Sequence, residues 1–384
     1  MELRKLTLHF MPYLYYFICL AFLCSCGEKN TRNKKNGETV SVDFRAGKDE
    51  VKHVNSIRLI SPERNGTYQF GEEITVSFET KERFPIDSSS ISVDGREIVR
   101  LGKNINRHVF RLPEGKAGNR VLKVTCWHPD NKTSSTATYI RLKPAQPPKK
   151  YTYKTLHIIP HDRKAYTQGL QYWDGYLYEG TGQYGESSIR KIDLQKGEIL
   201  SMLNINSQYF GEGITVYNDK IYQLTWRSRK GFIYDLKTFT LESTFNYNSE
   251  GWGLTTAGNH LIMSDGSHKL YHISPSGFGI LKEVEVYDHN GEVRQLNELE
   301  YVNGLVWANV WLTDRIIAID PETGIVKAEL DMTDLLPAND RVSLDEKDDV
   351  LNGIAWNPEK NTFYVTGKRW PKILYLIHIS YPNR

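Results

Sequence analysis

Phe210-Gly211-Glu212-Gly213-Ile214-Thr215 holds a carboxylate between two glycines at the mouth of a strand. Glycine on either side lets the backbone turn sharply and leaves the carboxylate without bulky neighbours, which suits a group facing a cavity. Taken alone, Gly-Glu-Gly reads as a turn, because glycine and polar residues punctuate most hairpins. Repetition changes that reading. Gln168-Gly169-Leu170, Glu212-Gly213-Ile214, Trp252-Gly253-Leu254, Asn297-Glu298-Leu299 and Asn352-Gly353-Ile354 follow one another at spacings of 44, 40, 45 and 55 residues. Five copies at a period near forty predict radially arranged sheets, a five-bladed β-propeller.

A second equivalent position lies 14 residues after the first, at Gly182, Trp226, Gly266 and Trp311; a longer turn moves the fifth to Lys368. Equivalent positions of a propeller are related by rotation about its axis, so both sets should ring one channel. Glu212 would then sit among Gln168, Trp226, Trp252, Asn297, Trp311 and Lys368. The expected site is a polar pocket with aromatic walls.

Composition agrees with an all-β chain. Aromatic residues make up 12% of the 384 residues, with 23 Tyr and 8 Trp, and no stretch beyond the leader keeps a helical period. The net charge of +3 is too mild and too scattered for a nucleic-acid face.

The N-terminus reads Met1-Glu2-Leu3-Arg4-Lys5, an apolar run from Phe10, then Leu23-Cys24-Ser25-Cys26-Gly27. This is a secretory signal in form, shorter than a spanning helix, and it resembles a bacterial lipoprotein signal over residues 1–25. The resemblance implies that Cys26 becomes the lipidated first residue of an exported, membrane-anchored protein that faces the periplasm. Residues 26–53 are polar and should form a disordered tether. With the leader removed, Cys126 is the one internal thiol; in the alternating run Val121–Trp127 it reads as a small core residue.

Residues 54–142 carry short alternating runs, Ile57–Leu59, Ile74–Phe78, Ile91–Val93, His108–Arg111, Val121–Trp127 and Thr136–Ile140, separated by turn clusters. That spacing predicts an immunoglobulin-like sandwich. A proline-rich linker, residues 143–150, separates it from the repeat domain, residues 151–384. Thr152–Ile159 forms a strand with no partner in the first repeat; closing a ring requires it to pair with the last blade.

Some motifs are set aside. Gly180-Thr181-Gly182-Gln183-Tyr184-Gly185 has the spacing of a dinucleotide fingerprint, but Ser188–Asp193 after it continues as strand where a helix N-terminus is needed. Asp288-His289-Asn290-Gly291-Glu292 lacks the distal acid of a calcium loop and reads as an Asn-Gly turn. The histidines show no metal-ligand spacing, so no metal site is apparent from local motifs, while one assembled from separate blades would leave no such spacing; no cofactor is expected.

Tyr166-Thr167-Gln168-Gly169-Leu170, Thr181–Ser188, Phe210-Gly211-Glu212-Gly213, Asn297-Glu298-Leu299-Glu300 and Thr366-Gly367-Lys368-Arg369-Trp370-Pro371 together resemble the plant- and bacterial-type glutaminyl-peptide cyclotransferases over residues 152–380. The resemblance implies a metal-independent enzyme that turns the N-terminal glutamine of peptides and proteins into pyroglutamate with release of ammonia; separately, a monomer is expected. It implies Glu212 as general acid and base, and Gln168, Trp226, Trp252, Asn297, Trp311 and Lys368 as substrate-binding residues. Tyr166 departs from a common phenylalanine. Two other readings stand beside it: a propeller that only binds a peptide or glycan, and a metal-dependent lactonase-like hydrolase.

Overall fold

Why the repeated glycines recur is visible in how closely the strands that carry them approach. The computed structural model describes residues 52–380; the leader, Cys26 and most of the tether lie outside the described residues. A side-chain carbon on Gly169 would lie 2.4 Å from the Ile214 nitrogen, and one on Gly253 would lie 2.0 Å from the Asn297 oxygen. No real Cβ tolerates such contacts, so these positions require glycine because the backbones of neighbouring sheets touch there. The reason is close approach as well as turning.

Three sheets of four antiparallel strands follow in chain order. The first runs through Thr167–Trp173, Tyr176–Thr181, Ser188–Asp193 and Ile199–Asn204, so the rejected dinucleotide fingerprint does end in strand. The second comprises Gly211–Tyr217, Lys220–Thr225, Lys230–Asp235 and Leu241–Asn246, and the third Leu254–Ala257, His260–Ser264, Lys269–Ile273 and Ile280–Glu285. Two further sets, Leu296–Val302 to Val326–Asp331 and Leu351–Asn357 to Lys372–Ser380, are joined into one eight-stranded sheet by Lys149–Pro160. The leading strands of the five sets touch in succession, and Leu351–Asn357 touches Thr167–Trp173 again, so the order of neighbours closes on itself.

The strand Lys149–Pro160 does two things. From Thr152 to Pro160 it pairs antiparallel with Lys372–Ser380, the closure expected from the sequence. Lys149–Tyr151 pairs in parallel with Ala328–Leu330 of the preceding set, so the strand begins inside the stretch read as a linker. Removing residues up to 148 should leave a folded protein, whereas removal through Pro160 bares the edge of Lys372–Ser380 and should cause aggregation. Size-exclusion chromatography of both truncations checks this, and equal solubility would contradict it.

Inner strands are also knitted by buried carboxyl groups. Leu170 N–H donates to Glu298 Oε1 at 3.1 Å and Ile354 N–H to Oε2 at 2.8 Å, while Trp356 N–H donates to Glu300 Oε1 at 2.9 Å. One side chain thus ties together the leading strands of three sets.

The preceding residues form a six-stranded and a three-stranded sheet. Glu73–Thr80 buries alternate residues, and Ile74, Val76 and Phe78 meet Ile91, Leu122, Val124, Cys126 and Ile140 in one core. Burial pushes the Cys126 thiol up to about 12, so it is an inert core group. Gly66–Gln69 and Arg96–Leu101 are strands that the sequence reading did not separate; the second follows a two-residue turn in which Asp94 and Gly95 both have positive φ. This part rests on the third and fourth sets: Asn119 N–H donates to Glu285 at 2.5 Å, Ala117 N–H to the Thr323 carbonyl at 2.8 Å, and Lys143 Nζ to the His289 carbonyl at 2.7 Å. The described residues contain one helix, the four-residue Ala338–Arg341.

Candidate active site

Glu212 sits near the start of Gly211–Tyr217, where a register shift against Lys220–Thr225 between Gly211 and Ile214 frees it from regular pairing. The site is a cavity of about 330 Å³ lined by Glu212 with Gln168, Trp226, Trp252, Asn297, Trp311 and Lys368, and also by Tyr166, Gln183, Tyr184, Phe210 and Asp348. All seven residues singled out from the two repeat positions therefore meet in one place. The remaining repeat positions stand behind the walls. A Cβ on Gly266 would lie 2.6 Å from the Trp252 ring, and one on Gly182 2.4 Å from Phe210, so glycine there makes room for the aromatic walls. Asn352 Nδ2 donates to Gln168 Oε1 at 3.1 Å, which fixes the amide so that Gln168 Nε2 donates to Glu212 Oε1 at 3.1 Å.

Electrostatics at the site are set by burial. Desolvation holds the Glu212 carboxyl well above the usual range, against the pull of Lys368 and with a further push from Glu250. Lys368 is also buried; desolvation lowers its ammonium to about 8, opposed by Glu212 and Asp348. Its Nζ lies 4.8 Å from the centre of the Tyr166 ring and 5.9 Å from that of Trp311. Burial thus moves the two groups in opposite directions, leaving one able to accept a proton and the other to carry positive charge beside it.

The polar atoms left over indicate what a bound molecule should offer. Among the described residues, the Trp311 indole N–H and the Asn297 carboxamide oxygen are buried without a hydrogen-bond partner. Unmade bonds at buried groups are costly, so a donor and an acceptor are held ready at the wall. Trp252 and Trp311 meet edge to face, with ring centres 5.5 Å apart. Such a site can hold a small, uncharged, amide-bearing group against a carboxylate.

Several lining residues escaped the sequence reading. Asp348 comes from the chain between the fourth and fifth sets, whose 55-residue spacing signals an insertion without saying where it lands. It accepts from the Tyr166 hydroxyl at 2.5 Å and from Arg369 at 3.1 Å. The Tyr166 hydroxyl, absent from phenylalanine, thereby ties this loop to the cavity wall. Phe210, Gln183 and Tyr184 lay within the quoted motifs but were not singled out.

Neighbouring clusters are structural. His161 Nε2 meets Glu179 Oε1 at 2.9 Å, and Arg190 joins that buried group within 3.7 Å. No group of three or more His, Cys, Asp or Glu side chains that could hold a metal ion occurs among the described residues. Asp288 Oδ1 accepts from Asn290 and Gly291 N–H, so that stretch forms a turn, as expected.

A family model described as glutamine cyclotransferase matches residues 125–379. A glutaminyl-peptide cyclotransferase of Arabidopsis thaliana is 41% identical over 228 residues, covering 58% of this chain and 69% of that protein. The crystal structure of the Myxococcus xanthus glutaminyl cyclase is similar with a TM-score of 0.56 and 31% identity, over 60% of this chain and 97% of that one.

Proposed function

The chain belongs to the glutamine cyclotransferase family and is an enzyme of the glutaminyl-peptide cyclotransferase kind, and we propose that it turns the N-terminal glutamine of peptides and proteins into pyroglutamate by a metal-independent route in which Glu212 moves the proton. The observation that carries this reading is Glu212 itself: a carboxyl raised by burial, held by Gln168, and enclosed by Trp226, Trp252 and Trp311.

The chemistry follows from those neighbours. The α-amine nitrogen attacks its own side-chain carboxamide carbon; a ring N–C bond forms, the C–N bond of the amide breaks, and ammonia leaves. Folding the glutamine back on itself costs entropy, which a close aromatic cavity offsets by holding the reactive conformer. Glu212 takes the proton shed by the attacking nitrogen and returns it to the departing one, so no proton is gained or lost. Its raised affinity for protons makes it a better base than an exposed carboxylate. Trp311 N–H and Lys368 are suited to the oxygen that becomes negative, and Asn297 Oδ1 to the amine.

The same reading makes the five strand sets the blades of a propeller closed by Lys149–Pro160, with the preceding two sheets an immunoglobulin-like brace. A coupled ammonia assay on a Gln-initiated dipeptide, with and without chelator, tests the function. Ammonia release that survives the chelator is expected. Binding without turnover would favour a recognition propeller, and loss with chelator a metal-dependent hydrolase.

Cys26 is proposed as the lipidated residue that anchors a periplasm-facing monomer. Mass spectrometry should find an N-terminal, acylated Cys26, and Cys26→Ser should release the protein from membranes; a mature protein that begins elsewhere and is soluble would refute this.

A further inference from the structure

Two cavity walls from different parts of the ring share one anchor outside the cavity lining. Trp226 follows Lys220–Thr225, and Trp252 precedes Leu254–Ala257. The Trp226 indole N–H donates to Glu250 Oε2 at 2.7 Å and the Trp252 indole N–H to the same oxygen at 3.1 Å. The other oxygen, Oε1, faces Arg227 Nε at 3.3 Å, and the Arg227 guanidinium lies 3.8 Å from the centre of the Trp226 ring. Arg227 therefore covers the outer face of the same indole that Glu250 holds by its edge. The backbone supports the arrangement, since Gly251 N–H donates to the Trp226 carbonyl at 3.0 Å.

We infer that Glu250 is a positioning residue for the cyclisation, fixing the Trp226 and Trp252 indoles at the angle that folds the substrate glutamine, with Arg227 holding Glu250 in place. An indole swings about two side-chain torsions, and the ring of a wall tryptophan left free at its N–H samples other orientations. Bonds to a carboxylate are stronger than neutral ones, so one oxygen restrains both rings. A misplacement of about 1 Å in such a wall costs on the order of 10²-fold in rate. Trp311, whose N–H is unpaired, is left to meet the substrate.

The kinetic part of the test rests on the cyclotransferase reading; the spectroscopic part does not. Glu250→Ala should lower kcat/KM about 10- to 100-fold, mainly through kcat, in a protein that still folds, since the non-reacting binding surface remains. Glu250→Gln keeps an oxygen at the same reach, which can accept from both indoles, and should restore most of the rate. In 1H–15N spectra, the indole N–H signals of Trp226 and Trp252, assigned with Trp→Phe variants, should move upfield and exchange faster in Glu250→Ala than in Glu250→Gln. Wild-type kinetics for Glu250→Ala, or indole signals that do not move, would overturn the inference. Equal kinetic losses in both variants, with the indole signals of Glu250→Gln at their wild-type positions, would also overturn it, because charge and not positioning would then be the cause. If the wild type releases no ammonia, the proposed function fails while the indole signals still decide whether Glu250 holds the two rings.

Discussion

Glu212→Gln should give a folded protein whose turnover of Gln-initiated peptides falls by about 10²-fold or more, the usual loss when general acid–base catalysis is removed. The amide keeps the shape and can still meet Gln168, so peptide binding should change far less than kcat. Trp311→Ala should instead weaken both, because it removes a wall and a donor together. The pH dependence carries a sign. Desolvation raises Glu212 and lowers Lys368 to about 8, so loss of the Glu212 proton should raise wild-type kcat/KM and loss of the Lys368 proton near pH 8 should lower it. In Glu212→Gln the acidic limb should vanish. Stability should move the other way: a carboxyl raised in the folded state contributes stability that is full below its ordinary value and is lost as pH rises through the folded value. The variant, with no charge to bury, should melt at or above the wild-type temperature at pH 8. Near wild-type turnover with an unchanged pH profile would remove Glu212 from the proton path.

Glu298→Ala should destabilise the fold by about 2–6 kcal/mol, because it strands two buried N–H groups at about 1–3 kcal/mol each. Those donors belong to Leu170 and Ile354, so the loss strikes the seam where the ring of neighbours closes. Glu298→Gln offers one acceptor and one donor, and should cost about half as much; it keeps the experiment readable if the alanine variant does not fold. Chemical denaturation measures both. The neighbouring Glu300, raised by burial to about 8 from an ordinary 4.5, gives a linked result. Its contribution is full below pH 4.5 and is lost as pH rises through about 8, so Glu300→Gln should flatten the loss of stability between about pH 4.5 and 8. A Glu298→Ala protein as stable as wild type would show that water or relaxation satisfies the two donors.

The pair Asn297-Glu298 shows where sequence reasoning stops. Both stand in one quoted motif, yet Asn297 lines the cavity and Glu298 ties strands together. In an extended strand, neighbouring side chains point to opposite faces, so a motif contains both kinds of residue and only packing separates them. Glu250 and Asp348 illustrate the same limit. One is two residues from a wall tryptophan and the other sits in an insertion, and neither recurs with the repeat.

The all-β class, the fivefold period and the convergence of Gln168, Glu212, Trp226, Trp252, Asn297, Trp311 and Lys368 are legible in the order of residues alone. On the propeller reading, rotation about an axis converts near-regular spacing along the chain into proximity in space, and those residues do line one cavity. Their surroundings emerge only once the sheets are packed. The raised carboxyl of Glu212 and the lowered ammonium of Lys368 depend on burial, a property of all the atoms nearby and not of the residue's own stretch of chain. The Tyr166–Asp348 bond spans 182 residues and the shared anchor at Glu250 joins two separate loops, contacts that no local pattern encodes because they form only once the sheets have packed.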